Sequence, residues 1–172
     1  MLVSIPLTTE RGSGMPIGKN ELRTVMGHFG TGVTIITTFN REGTLHGLTA
    51  NAFSSLSLVP PLCLVCVDKK AESYPSFDES KVFTVNILRD DQEELSRRFA
   101  VSGGEKFTGV AYRIGGNGAP ILEHVIAWLE CKITAAYDGG DHTIYIGEIE
   151  EAETREGKPL MFFRGGYRAL GD

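Results

Sequence analysis

Residues 48–58 alternate in the two-residue period of a β-strand. Thr49, Asn51, Phe53, Ser55 and Ser57 fall on one face, and Leu48, Ala50, Ala52, Ser54, Leu56 and Leu58 fall on the other. The pattern predicts a single strand with one packing face and one hydrogen-bonding face. Pro60 and Pro61 cannot donate to a strand ladder, so a bend is expected before the apolar run 62–67, which reads as a buried strand.

Helical spacing appears first at Leu22, Val25, Met26 and Phe29, an i, i+3, i+4, i+7 stripe that Asn20 would cap and Gly30 would end. β-branched residues fill 32–38, and the turn at 40–43 leads into 45–58, giving a hairpin. A short helix is expected over 71–79, limited by Pro75 at its centre, and 82–88 reads as a strand. Asp90 followed by Glu93 resembles a capping box for a second short helix bearing Leu95 and Phe99. Glycines mark 102–109 and 113–120 as loops. Strands 126–137 and 142–149, joined by Asp138-Gly139-Gly140-Asp141, make a further hairpin with Leu129, Cys131, Ile133 and Ala135 on one face, and 159–168 closes the chain. Seven or so strands with two or three short helices predict a mainly β fold, a small antiparallel barrel rather than a βαβ fold.

A length of 172 residues suits one domain, expected over 19–172 behind a flexible tail at 1–18. Apolar residues at 41% and charged residues at 23% exclude a coiled coil or a largely disordered chain. A net charge of −5 without clustered Lys and Arg argues against a nucleic-acid surface. The start of the chain lacks the basic region and apolar length of a signal peptide, and no later run approaches a membrane span. A cytoplasmic protein is expected.

Candidate chemistry is sparse. Cys63 and Cys66 spell CxxC, yet residues three apart on a strand point to opposite faces, so with Cys131 they read as buried structural thiols and no metal site is expected. GxSxG and HExxH are missing, and the Gly116-Asn117-Gly118 stretch lacks the third glycine of a dinucleotide fingerprint. Glu148, Glu150, Glu151 and Glu153 read as a solvated face. His28, His46 and His124 occupy structural or surface positions, whereas His142 follows a Gly-Gly-Asp turn at the mouth of a hairpin, where a side chain projects into a cleft. Lys69 and Lys70 follow a buried strand directly, where an ammonium either meets a bound phosphate or ends in solvent. The hydroxyl-rich face of 48–58 suits a partly flat, partly polar ligand such as a flavin or a nucleotide, and equally a solvated sheet face.

Motifs in one order along the chain carry a resemblance: LRTVMGHFGTGVTIITT, GLTANAFSSLSLVPPLCLVCV, FTVNIL, RRFA followed by KFTGV, APILEHVIAWLEC, GGDHTIYIGEI and PLMFFRGGYR. On these residues, over about 22–170, the chain resembles the flavin reductase-like family, the NAD(P)H:flavin oxidoreductase components of two-component monooxygenases. The resemblance implies an FMN-binding split barrel, an antiparallel six- or seven-stranded β-barrel with a few short helices, paired as a homodimer with flavin near the subunit interface. It implies that Thr49, Ala50, Asn51, Phe53, Ser54 and Ser55 line the isoalloxazine and ribityl chain. Cys66, Val67, Asp68 and Lys69, with Lys70 and Ser73, would lie near the flavin phosphate. Gly140, Asp141 and His142 would position the nicotinamide, with His142 the catalytic candidate and Tyr167 at the edge of the site. The implied cofactors are FMN or FAD and NADH or NADPH, and the implied partner is a separate monooxygenase that receives reduced flavin. Hydride transfer between stacked rings asks for orientation rather than an acid and base pair, which fits the sparse chemistry. The alternative is a split-barrel protein that binds flavin or haem without turnover.

Overall fold

The computed structural model describes residues 17–171, so the expected tail at 1–18 lies almost wholly outside the described residues. Helix α1 (Lys19–Met26) leads into strands β1 (Thr31–Gly32), β2 (Thr34–Phe39), β3 (Leu45–Ala50), β4 (Phe53–Leu58) and β5 (Pro61–Asp68). Helix α2 (Tyr74–Ser80), strand β6 (Val82–Ile87) and helix α3 (Glu93–Phe99) follow. The short pair β7 (Tyr112–Ile114) and β8 (Pro120–Leu122) precedes the long hairpin of β9 (Ala127–Gly139) and β10 (His142–Thr154), and β11 (Met161–Phe163) with β12 (Gly166–Arg168) ends the chain.

Seven strands form one sheet in the order β3-β2-β6-β9-β10-β5-β4, antiparallel at every step. The edges are β3 and β4, although only Asn51 and Ala52 separate them in sequence. Three Cα steps reach no further than about 11 Å, so the sheet must curl until its edges meet. A hydrogen bond from the Cys66 N–H to the Ala52 carbonyl, 2.9 Å, fixes the link against β5. The result is the mainly β barrel that the strand pattern predicts.

The continuous strand expected over 48–58 is instead two strands on opposite edges, broken at Asn51 and Ala52. Alternation therefore does not carry across the break. Phe53, expected to share a face with Thr49, packs against the same core cluster as Leu48 and Ala50. That cluster fills the barrel with Ile36, Val65, Phe77, Phe83 and Tyr145 among others. A second cluster, including Ile35, Leu88, Phe99, Leu122 and Trp128, lies on the other side of β2, which is why β2 is buried on both faces.

Local signals fared unevenly. Pro75 stands in the first turn of α2 rather than at its centre, a position whose N–H has no helical acceptor. Neither expected side-chain cap forms: α1 starts after Gly18 instead of Asn20, and α3 starts after Gln92 instead of Asp90. The stripe on α1 is not buried either, leaving Val25 58%, Met26 59% and Phe29 73% exposed. Cys63 and Cys66 do face opposite sides of β5. Cys63 is buried with its sulfur 3.6 Å from that of Cys131, whereas Cys66 is only half-buried, and all three are free thiols.

Candidate functional site

The site begins where β3 ends. Thr34 Oγ donates to the Ala50 carbonyl at 2.6 Å, and Thr49 Oγ donates to the Ser96 carbonyl of α3 at 2.6 Å, so the last residues of β3 are held from both sides. The Ser96 hydroxyl meets the Tyr167 hydroxyl at 2.8 Å, and the Arg97 guanidinium covers the Tyr167 ring at 4.8 Å. These contacts dock α3 and β12 onto β3. Between them opens a cavity of about 210 Å³ lined by Val33, Thr49, Asn51, Ala100, Phe162 and Tyr167. Three sequence-predicted residues, Thr49, Asn51 and Tyr167, meet there although they are far apart in the chain.

A second cavity, about 270 Å³, shares Thr49 and Ala100 with the first and adds Asp68, Lys70 and Ser73, three more candidates. It also takes in Lys106, which the sequence reading did not single out. Its ammonium donates to the Gly47 carbonyl at 3.1 Å, and burial pushes its pKa below the ordinary lysine value, opposed by the nearby Glu72 carboxylate. Glu72 accepts the Gly103 N–H at 2.8 Å and so ties down the 102–109 loop that carries Lys106. One cation in a glycine-rich loop has no periodic signature; the only signal was its place in the KFTGV stretch. A third cavity, about 350 Å³, continues outward, sharing Glu72, Ser73 and Lys106 with the second. The three together form one trench.

Gly140, Asp141 and His142 lie beside this trench without lining it. His142 pairs in register with Asp68, and its Nδ1 is 2.8 Å from an Asp141 carboxylate oxygen, which holds the Asp141 carboxyl below its usual range. Lys69 clamps the turn. Its ammonium bonds the Asp138 carboxylate and donates to the Gly140 carbonyl at 2.6 Å, while its N–H donates to the Asp141 carbonyl at 3.0 Å. The charge of Lys69 is thus engaged by the hairpin, and it holds the Asp138 carboxyl below its ordinary value.

The remaining candidates stand elsewhere. Val67 is fully buried in the barrel core and Ala50 nearly so, leaving their backbone alone for a ligand. Cys66 is half-buried, with its thiol pushed up by burial. Phe53 turns to the core, and the exposed Ser54 donates to the carbonyl of exposed Ser55 at 3.0 Å. None of these six lines the trench.

Comparison with known proteins places this geometry. The sequence pattern of the flavin reductase like domain matches residues 26–171. A flavin reductase of Pseudomonas putida is 38% identical over 146 residues, 84% of this chain and 86% of the relative. The reductase component of a 4-nitrophenol 4-monooxygenase/4-nitrocatechol 2-monooxygenase from Rhodococcus opacus is 38% identical over 152 residues, 88% of this chain and 81% of the relative. Among solved structures, the Streptomyces globisporus C-1027 NADH:FAD oxidoreductase, in complex with NAD and FAD fragments, superposes with a TM-score of 0.85 at 37% identity, covering 89% of this chain and 93% of that one.

Proposed function

This chain belongs to the flavin reductase-like family, and from that premise we propose that it transfers a hydride from NADH to a flavin and supplies the reduced flavin to a separate monooxygenase. The observation that carries the reading is the meeting of Thr49, Asn51 and Tyr167 in one cavity that runs directly into a second holding Lys70, Ser73 and Lys106. A flavin needs an apolar slot for a flat ring, polar partners at the ring's edge and a cation for its phosphate. The donor set fits each need. Val33 and Phe162 wall the inner cavity, Asn51 offers both a donor and an acceptor, and two ammonium groups stand at the outer end.

When bound, the flavin supplies the hydride acceptor and the nicotinamide the hydride, so no side chain has to exchange a proton. The work of this chain is orientation and exclusion of water. Asn51 orients the ring, Lys106 and Lys70 hold the phosphate, and His142, presented by the turn that Lys69 clamps, positions the nicotinamide. Ala50, Phe53, Ser54, Ser55, Cys66 and Val67 serve this site chiefly through backbone groups and packing.

The assay is steady-state oxidation of NADH and NADPH with and without FMN, FAD or riboflavin. Turnover is expected to depend on added flavin, and no flavin-dependent turnover with either nucleotide refutes the reading. A split-barrel protein that only stores flavin or haem would bind its cofactor and fail this assay. Within it, His142→Ala should raise the nicotinamide KM about tenfold, the worth of one hydrogen bond, while flavin affinity holds. An equal loss in both would make His142 structural. Asn51→Leu should weaken flavin binding about tenfold in a fluorescence titration, through the lost edge contacts, and an unchanged titration would remove Asn51 from the site.

Residues 19–172 are the working domain in this reading, in the cytoplasm. A homodimer is supported by the apolar surface the single chain leaves open, on α1 and at the turn between β4 and β5, where Leu58 is 86% and Val59 92% exposed. Among the described residues no helix is long and apolar enough to cross a membrane.

A further inference from the structure

The tip of the β11–β12 hairpin carries a residue that its turn does not ask for. Arg164 and Gly165 join the two strands, and both have positive φ, 51° and 75°. A two-residue turn of this kind favours asparagine, aspartate or glycine at its first position, because an ordinary side chain crowds the backbone in the left-handed region. Arginine stands there instead, and among the described residues its side chain makes no hydrogen bond or ion pair. Its N–H donates to the Gly27 carbonyl, just past α1, at 2.7 Å and docks the turn on the end of the helix.

A second unpaired guanidinium meets it there. Arg89, Arg97 and Arg155 pair with carboxylates, Arg98 and Arg168 donate to carbonyls, and Arg113 covers the Trp128 ring. Arg41 stands alone at the β2–β3 turn. Arg23, equally without a side-chain partner among the described residues, lines a cavity of about 350 Å³ with Thr24, Gly27, His28, Arg164 and Gly165. Among the described residues no carboxylate lines it, unlike the middle and outer cavities of the trench. Its walls are set before any ligand arrives. His28 Nδ1 donates to the Thr24 carbonyl at 2.8 Å, with the ring edge-on to Phe163 at 6.2 Å. A Cβ on Gly27 would stand 3.1 Å from the Arg23 carbonyl oxygen and 3.5 Å from the Arg164 Cα, so glycine permits the close approach. By the helical period the lining positions fall opposite Leu22, Val25 and Met26, and a partner on the apolar stripe need not cover the cavity.

We propose that this cavity is a phosphate site in which Arg23 and Arg164 grip a phosphate monoester dianion. Guanidinium forks match carboxylate and phosphate oxygens alike. A carboxylate, with one charge and two oxygens, answers one fork and leaves the other unpaired, whereas a phosphate monoester brings nearly two charges and three acceptor oxygens, enough for both. Two sources share this chemistry: free inorganic phosphate, and the 2′-phosphate that distinguishes NADPH from NADH. The site itself goes beyond the reductase reading, and only its second source rests on that reading. The place suits that source, since Arg164 stands two residues, about 7 Å of strand, from Phe162 in the wall of the inner cavity.

The test is isothermal titration of the full chain with inorganic phosphate, with chloride at matched ionic strength as the blank, beside KM values for NADH and NADPH. Phosphate is expected to bind above the blank, and Arg23→Gln and Arg164→Asn should each weaken it about tenfold or more, the worth of a charge-assisted hydrogen bond. Glutamine keeps the helix propensity at 23 and asparagine suits the turn at 164, so both variants should keep the parent's melting temperature. Lys106→Met, which alters the trench alone, should leave phosphate binding within about twofold. If Arg164→Asn also raises the NADPH KM about tenfold while the NADH KM holds, the occupant is the nucleotide's 2′-phosphate; if neither KM moves, it is free phosphate. Equal rises for both nucleotides would give the cavity to their shared diphosphate and overturn the monoester assignment. Heat no larger than that of chloride, or equal phosphate binding in the parent and both arginine variants, overturns the proposal. Phosphate binding lost in Lys106→Met but kept in both arginine variants gives the anion to the trench and overturns it as well. Absence of flavin-dependent turnover would refute the reductase reading and leave the phosphate titration to decide this site.

Discussion

Gly147→Val is expected to lower the melting temperature of the barrel by roughly 6–12 °C. Gly147 sits in β10, paired with Cys63 of β5. A Cβ built there would stand 2.5 Å from the Phe83 ring and 2.9 Å from the Cys131 Cβ, inside any allowed contact. Neither neighbour has room to retreat, since both are fully buried in the core cluster that fills the barrel. Overpacking a rigid core costs about 1–3 kcal/mol, and valine's three added carbons belong at the upper end. At this chain length each kcal/mol moves the midpoint by about 2–4 °C. Thermal unfolding followed by far-ultraviolet circular dichroism checks it, and a midpoint within about 2 °C of the parent would show that β10 can shift to make room.

The same position explains what a linear pattern does and does not carry. The β9–β10 hairpin was legible because alternation flanks a Gly-Gly turn, and β5 because its apolar run is bounded by Pro61 and Asp68. Closure was not legible. The alternation of 48–58 runs unbroken through Asn51 and Ala52, and nothing local says that the first strand's neighbour in sequence belongs to the far edge of the sheet. That is a property of all seven strands at once. The α1 stripe is amphipathic as its spacing predicts, but periodicity cannot tell which partner covers it, and among the described residues none does. Lys69 was rightly marked as a strand-end cation. Its engagement with Asp138 and Gly140 follows from the β5–β10 register, which places the end of one hairpin beside the turn of another. Thr49 and Asn51 stand out in the alternation of 48–58 and Tyr167 only through the family resemblance, and the docking of α3 and β12 on β3 shows why they meet.

Lys106→Met should weaken FMN and FAD binding by about tenfold to a hundredfold and leave riboflavin binding nearly unchanged, because riboflavin lacks the phosphate. Lys106 is half-buried, and among the described residues its ammonium has one hydrogen bond to a protein acceptor, the Gly47 carbonyl at 3.1 Å, which leaves two of its three N–H groups for a ligand. Desolvation already lowers its pKa, a sign that the folded chain holds this charge at a cost. A phosphate would offset that cost with acceptors at close range, at about 1.5–3 kcal/mol for a charge-assisted hydrogen bond. The sign of the pH dependence follows. The folded pKa lies below 10.5, so the charge is lost as pH rises through that lowered value. FMN affinity should therefore fall on the alkaline side before an ordinary lysine would titrate, and riboflavin affinity should not follow it. Fluorescence titrations of both flavins across that range decide the matter. A parallel loss for riboflavin in Lys106→Met would mean that Lys106 serves only to hold the loop against Gly47, and unchanged FMN binding would remove it from the phosphate site.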